Sequence, residues 1–130
     1  MKDTVIKRVE LYAVADRDAP PIPWADNQEP LLYTNNIVRI ICNDGTEGVG
    51  ATISYTENDF DRCIIEAMRT IVPGLIGKNP LMTDELNTWL GARCSWGGLP
   101  AKSPIDIAAW DIKGKKSGYA TIYVIRGGTS

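Results

Sequence analysis

Hydrophobic and polar positions change period along this chain, and the changes predict strands first and helices afterwards. From Thr4 to Val14, β-branched and aliphatic residues alternate with polar ones, with Val5, Val9, Leu11 and Ala13 on one face of a first strand. Asp16 to Leu32 then breaks any regular pattern: Pro20, Pro21, Pro23 and Pro30 stand among Asp and Asn, a mixture that continues neither a helix nor a central strand. It reads as a long loop, and structureless loops of this length in compact domains are more often functional than incidental. Tyr33 to Cys42 is a second strand, apolar on both faces (Ile37 and Ile41 against Val38 and Ile40). Asn43-Asp44-Gly45 turns the chain into a third strand, Thr46 to Ser54, which makes a β-hairpin.

From Thr56 the period becomes helical. Thr56 and Asp59 have capping-box spacing, and Phe60, Ile64, Met68, Ile71 and Val72 form a stripe that Pro73 is expected to stop. Leu86, Trp89 and Leu90 form a shorter stripe after Thr83, and Ser95-Trp96-Gly97-Gly98 separates it from a last helix. In that helix Ser103 suits the cap, Pro104 the first helical position and Gly118 the end. Its apolar residues Ile105, Ile107, Ala108, Ala109, Trp110 and Ile112 occupy most of the circumference, whereas a surface helix needs one stripe. A second cover is therefore expected, from outside this chain. The fold class is α+β: a three-stranded antiparallel sheet followed by a helical bundle.

Composition removes several function classes. The 14 basic and 16 acidic residues are mixed and leave a net charge of −2, so neither nucleic acid nor an anionic membrane is an indicated partner. No apolar run is long enough to span a membrane, and MKDTVIKRVE lacks a signal-peptide core, which leads to a cytoplasmic expectation. Cys42, Cys63 and Cys94 are odd in number and far apart, as expected of buried, reduced thiols. With no histidine in the sequence, histidine-dependent triads and histidine metal sites are excluded. Gly45, Gly48 and Gly50 read GxxGxG inside a hairpin, the wrong order and context for a phosphate loop; close approach of another backbone explains them better. Asp16, Asp18, Asp26, Asp59, Asp61 and Asp106 were weighed as metal ligands, but caps and solvated faces account for them, and the reading is that the chain binds no metal.

The segment NNIVRIICNDGTEGVGATISY, then IVPGLIGKNP, and above all SPIDIAAWDIKGKKSG followed by IYVIRGG resemble the N-terminal capping domain of the enolase superfamily, in its mandelate racemase and muconate-lactonizing subgroup. The likeness runs from about Val5 to Gly128. It implies a capping domain over residues 1–118, and a link with the start of an absent (β/α) barrel over 119–130. The segment GYATIYVIRGG departs from the usual link by lacking its proline and carrying one extra residue. The resemblance also implies a Mg²⁺-dependent enzyme that removes a proton alpha to a carboxylate. Metal ligands and bases are expected on the barrel, so no catalytic residue is assigned here.

Within that enzyme type, an acid-sugar dehydratase is the expectation, with a racemase, epimerase or cycloisomerase as the alternative. By the same resemblance, substrate contact comes from the Asp16–Leu32 and Ala51–Glu57 segments, with Trp24, Asn27, Tyr55 and Thr56 as binding candidates. Each has a structural alternative: proline packing for Trp24, a turn for Asn27, strand-end core for Tyr55 and a helix cap for Thr56. The expected partners are a barrel in cis or on a second chain, a small carboxylate and further copies of the chain. A different class of reading is an orphaned, non-catalytic binding or oligomerisation module.

Overall fold

The computed structural model describes residues 3–16, 33–53, 58–93 and 99–118. Three strands, β1 (Ile6–Asp16), β2 (Tyr33–Cys42) and β3 (Glu47–Ile53), precede three helices, α1 (Asn58–Leu75), α2 (Thr83–Arg93) and α3 (Leu99–Ser117). The sheet is an antiparallel meander in the order β1-β2-β3, and the architecture is the α+β arrangement expected. Gly45 closes the hairpin at φ 86°, where only glycine sits without strain, and Thr46 N–H donates to Asp44 Oδ1 at 3.0 Å.

Local boundaries differ from the sequence expectation in three places, each for a physical reason. The β1–β2 register shifts between Ile6 and Arg8, which brings Ile6 into the core at 1% exposure beside Val9 and Leu11; strict alternation from Val5 misses this. Pro73 lies inside α1 rather than ending it. A proline there costs one hydrogen bond to the carbonyl four residues back, and both Pro73 and Arg69 are exposed to water that can serve it. The helix ends two residues later, where Gly77 takes φ 88° and Lys78 N–H donates to Leu75 C=O at 3.0 Å. α3 begins at Leu99, so Ser103 is an exposed residue within the helix and not its cap. Pro104 forfeits only one early backbone bond and is buried.

One hydrophobic core joins the sheet and the helices. Ile6, Val38, Ile40 and Cys42 meet Met68, Ile71 and Leu75 of α1, Leu86 and Leu90 of α2, and Ile105, Ala108, Ala109 and Ile112 of α3. Spacing of three and four residues makes the α3 set one stripe, and all four are fully buried. α3 packs on β3 and β2 and also contacts α1 and α2. The chain's own sheet and helices cover this stripe, and the second apolar face expected from the sequence is left without such cover. Among its described apolar residues, Ile107 is left exposed and Trp110 half-buried, with Lys113 Nζ 4.8 Å from the indole centroid.

Close packing of α3 on β3 depends on missing side chains. A Cβ on Gly50 would stand 1.8 Å from the Pro104 carbonyl oxygen, and one on Gly48 would stand 2.2 Å from that of Ala108. The two glycines thus mark close backbone approach, as the hairpin context suggested. Gly74 plays the same part for α1 and α2, where an added Cβ would come 2.4 Å from the Trp89 ring.

Candidate functional site

Hydrogen bonds give the two ends of the sheet different characters. At one end, Gly77 N–H donates to Ile6 C=O at 2.8 Å and Ile6 N–H to Lys78 C=O at 2.9 Å, so α1 finishes where β1 starts. Asn43 ties the hairpin turn to the same place: its N–H donates to Val5 C=O at 3.0 Å, and its Oδ1 accepts from Val5 N–H at 3.0 Å. The C-terminal turn of α3 also lands here, with Lys116 paired to Asp44 and Lys115 Nζ donating to Glu47 C=O at 2.8 Å. Val49 N–H completes the lock by donating to Asp111 Oδ2 at 3.0 Å.

The opposite end carries the departures of the chain. Asp16 pairs with Tyr33 across β1 and β2, and Asn35 with Ile53 across β2 and β3, so residues 17–32 and 54–57 leave β1 and β3, the strands on either side of β2, at the same end. α1 must begin at this end, because its last turn is bound at the other. α3 begins here too, since Pro104 lies against Gly50 and Ala108 against Gly48, which puts Leu99 beyond Gly50. Trp24, Asn27, Tyr55 and Thr56 all belong to the two departing stretches and lie outside the described residues. The described backbone puts the strand ends that flank both stretches at one end of the sheet.

Sequence reasoning missed one residue at this end. Asn36 is fully buried, and among the described residues neither its Oδ1 nor its Nδ2 has a hydrogen-bond partner. The signal was present: two-residue alternation sets Asn36 on the same face as Val38, Ile40 and Cys42, a polar side chain at a core-facing position. Its cross-strand neighbours are Ala13 and Thr52.

The charged groups on the described surface are structural. Arg39 lies on the open sheet face between Glu10, at 2.8 Å from Nη1 to Oε1, and Glu47, at 3.1 Å from Nε to Oε2. The hydrogen bond from Arg39 holds the Glu47 carboxyl below its ordinary range, and the bonds that Glu47 and Glu10 accept hold the guanidinium still more firmly protonated. The Lys116 hydrogen bond, helped by Thr46 N–H, likewise depresses Asp44. Burial pushes the Cys42 thiol up to about 11, as expected of an inert core cysteine; Cys63 and Cys94 lie outside what can be described.

Among the described residues no three His, Cys, Asp or Glu side chains converge on a possible metal position, so these residues do not fit a Mg²⁺ site. Of the acids weighed from the sequence, Asp106 has a described side chain, and it accepts from Asn87 Nδ2 at 2.9 Å. No described helix is long and apolar enough to cross a membrane.

Comparison with known proteins matches this arrangement to larger enzymes. A candidate mandelate racemase/muconate lactonizing enzyme from Pseudovibrio sp. superposes with a TM-score of 0.85 at 78% identity, over 95% of this chain and 33% of that one. L-talarate/galactarate dehydratase of Salmonella typhimurium is 36% identical over 97 residues, 70% of this chain and 24% of the dehydratase. Its crystal structure liganded with Mg and L-lyxarohydroxamate superposes with a TM-score of 0.81 at 29% identity, over 95% of this chain and 34% of that one. N-succinyl-L-Arg/Lys racemase of Bacillus cereus is 30% identical over 94 residues, 70% of this chain and 25% of the racemase. The chain thus spans a quarter to a third of the length of these relatives. Residues 31–125 match the family described as the mandelate racemase / muconate lactonizing enzyme N-terminal domain, and the chain belongs to that family as an enolase-superfamily capping domain.

Proposed function

We propose that this chain is the substrate-capping domain of a Mg²⁺-dependent enzyme that removes a proton alpha to a carboxylate, with an acid-sugar dehydratase as the favoured reaction. The observation that carries the reading is that the strand ends leading into residues 17–32 and 54–57 lie at one end of the sheet, in a chain similar to L-talarate/galactarate dehydratase. Residues 1–118 are the cap, and 119–130 lead towards the barrel in cis. In this reading Trp24, Asn27, Tyr55 and Thr56 touch the substrate, enclosing it and selecting it by shape and hydrogen bonding. In this reading the metal and the base belong to the barrel. When bound there, the metal would supply stabilisation of charge on the substrate carboxylate.

Racemisation or epimerisation is the alternative within the same chemistry, favoured by the likeness to the Bacillus cereus racemase. Assay of the chain joined to its barrel against sugar acids and N-acylated amino acids separates the two. Water loss from a hydroxy acid supports the first reading, stereochemical inversion alone supports the second, and no turnover of any carboxylate sinks both.

The non-catalytic module is favoured by a different observation. Tyr12, Val14 and Val49 are 45%, 49% and 46% exposed on the open sheet face, apolar surface that further copies of the chain would bury. Light scattering on residues 1–130 tests it. A discrete soluble oligomer supports the module, and a monomer or an aggregate counts against it.

A further inference from the structure

Asn36 stands where an apolar residue would cost less. A buried amide without partners loses its hydration and gains nothing in return, whereas an apolar side chain of the same shape carries no such penalty. Its neighbours on the same face, Val38, Ile40 and Cys42, obey that rule. Its place in the sheet is also particular. The rung Ala13–Asn36–Thr52 lies one residue inside the rung Val14–Asn35–Ile53, after which β3 passes into residues 54–57. The strain of an unpaired polar group is thus placed at the end from which both departing stretches leave, and the opposite end is the one closed by hydrogen bonds.

We propose that Asn36 is a positioning residue for substrate recognition: in the complete, substrate-loaded enzyme its amide pairs with a backbone group brought against it at this end, fixing the Asn35–Ile53 rung. A peptide group is the occupant its chemistry favours. The side-chain amide offers donors and an acceptor together, and a backbone unit answers both, whereas a carboxylate would use only the donors and a cation only the acceptor. Asn36 then acts through the strand ends without touching the substrate, and the bond withheld in the free protein contributes to binding. The inference rests on the capping-domain reading above.

The test is Asn36→Leu, close in shape and unable to hydrogen-bond, in the complete enzyme. The melting temperature of the free enzyme is expected to stay level or rise, while KM rises roughly fivefold to tenfold with kcat held, the loss of one bond made on binding. A purely structural role would not produce that split. A variant that melts lower than the parent and keeps its KM overturns the inference, since the amide would then already have a structural partner such as a buried water.

Hydrogen exchange on the unsubstituted enzyme gives a readout that does not depend on the variant folding. Saturating substrate should slow exchange at residues 33–36 and 51–53, and unchanged exchange there overturns the inference. Absence of turnover of any carboxylate by the parent enzyme removes the capping reading and this inference together. Normal turnover with an unchanged KM in the variant removes the inference alone.

Discussion

Gly48 and Gly50 show how one absent carbon sets the spacing between a helix and a strand. Gly50→Ala forces a Cβ to within 1.8 Å of a helix carbonyl that cannot swing away, so strand and helix must part. The expected loss is about 1–3 kcal/mol, the range for overpacking a core, read as a lower urea midpoint. Gly45→Ala is a useful contrast: nothing lies within 4 Å of the new carbon, and the cost comes from φ 86° alone, about 1–2 kcal/mol. A Gly50→Ala domain as stable as the parent would show that α3 does not lie where the backbone puts it. The close approach was legible in the sequence because glycine in a strand has few other uses. The burial of Ile6 was not, because a bulge leaves no mark in the alternation it interrupts. Asn36 was legible in principle, as a polar residue in an apolar phase.

At the scale of elements, α3 is bound to the hairpin through charges as well as packing. Asp44 and Glu47 titrate below the ordinary carboxylate range in the folded chain, so their contribution is present above that range and is lost as pH falls through it towards the depressed values. Urea unfolding should accordingly become easier on acidification. Asp44→Asn should flatten part of that dependence, and added salt should weaken it because these groups face water. A pH profile identical in parent and Asp44→Asn would refute the assignment. The limits of β2 and β3 were legible almost to the residue, since alternation and the Asn-Asp-Gly turn agree, whereas β1 runs two residues later than expected at both ends. Helix limits were not. Pro73 and Pro104 read locally as a stop and a start, yet each removes a single backbone bond that water or core packing offsets.

At the scale of the whole molecule, the capping-domain fold was legible, and so was the excess of apolar surface on α3. β2, β3, α1 and α2 cover its buried stripe and leave Ile107 exposed and Trp110 half-buried, while the relatives it matches are three to four times as long. A single sequence displays how apolar a helix is without saying which elements will surround it. The proposed substrate contacts rest on resemblance alone, because Trp24 and Tyr55 read in the sequence as ordinary loop and strand-end aromatics. In the complete enzyme, Trp24→Ala or Tyr55→Ala is expected to raise KM for the preferred carboxylate roughly tenfold or more, the effect of losing an aromatic contact. Unaltered kinetics in both would remove them from the site. The meander order also leaves β1 at the border of the sheet, and among the described residues no strand lies along its outer side. Lys7, Arg8 and Glu10 guard its first half, whereas Leu11 to Val14 carries no charge. Expressed by itself, the domain therefore presents a short self-templating border, and a gatekeeper lysine at position 14 (Val14→Lys) should delay turbidity on warming without altering the fold.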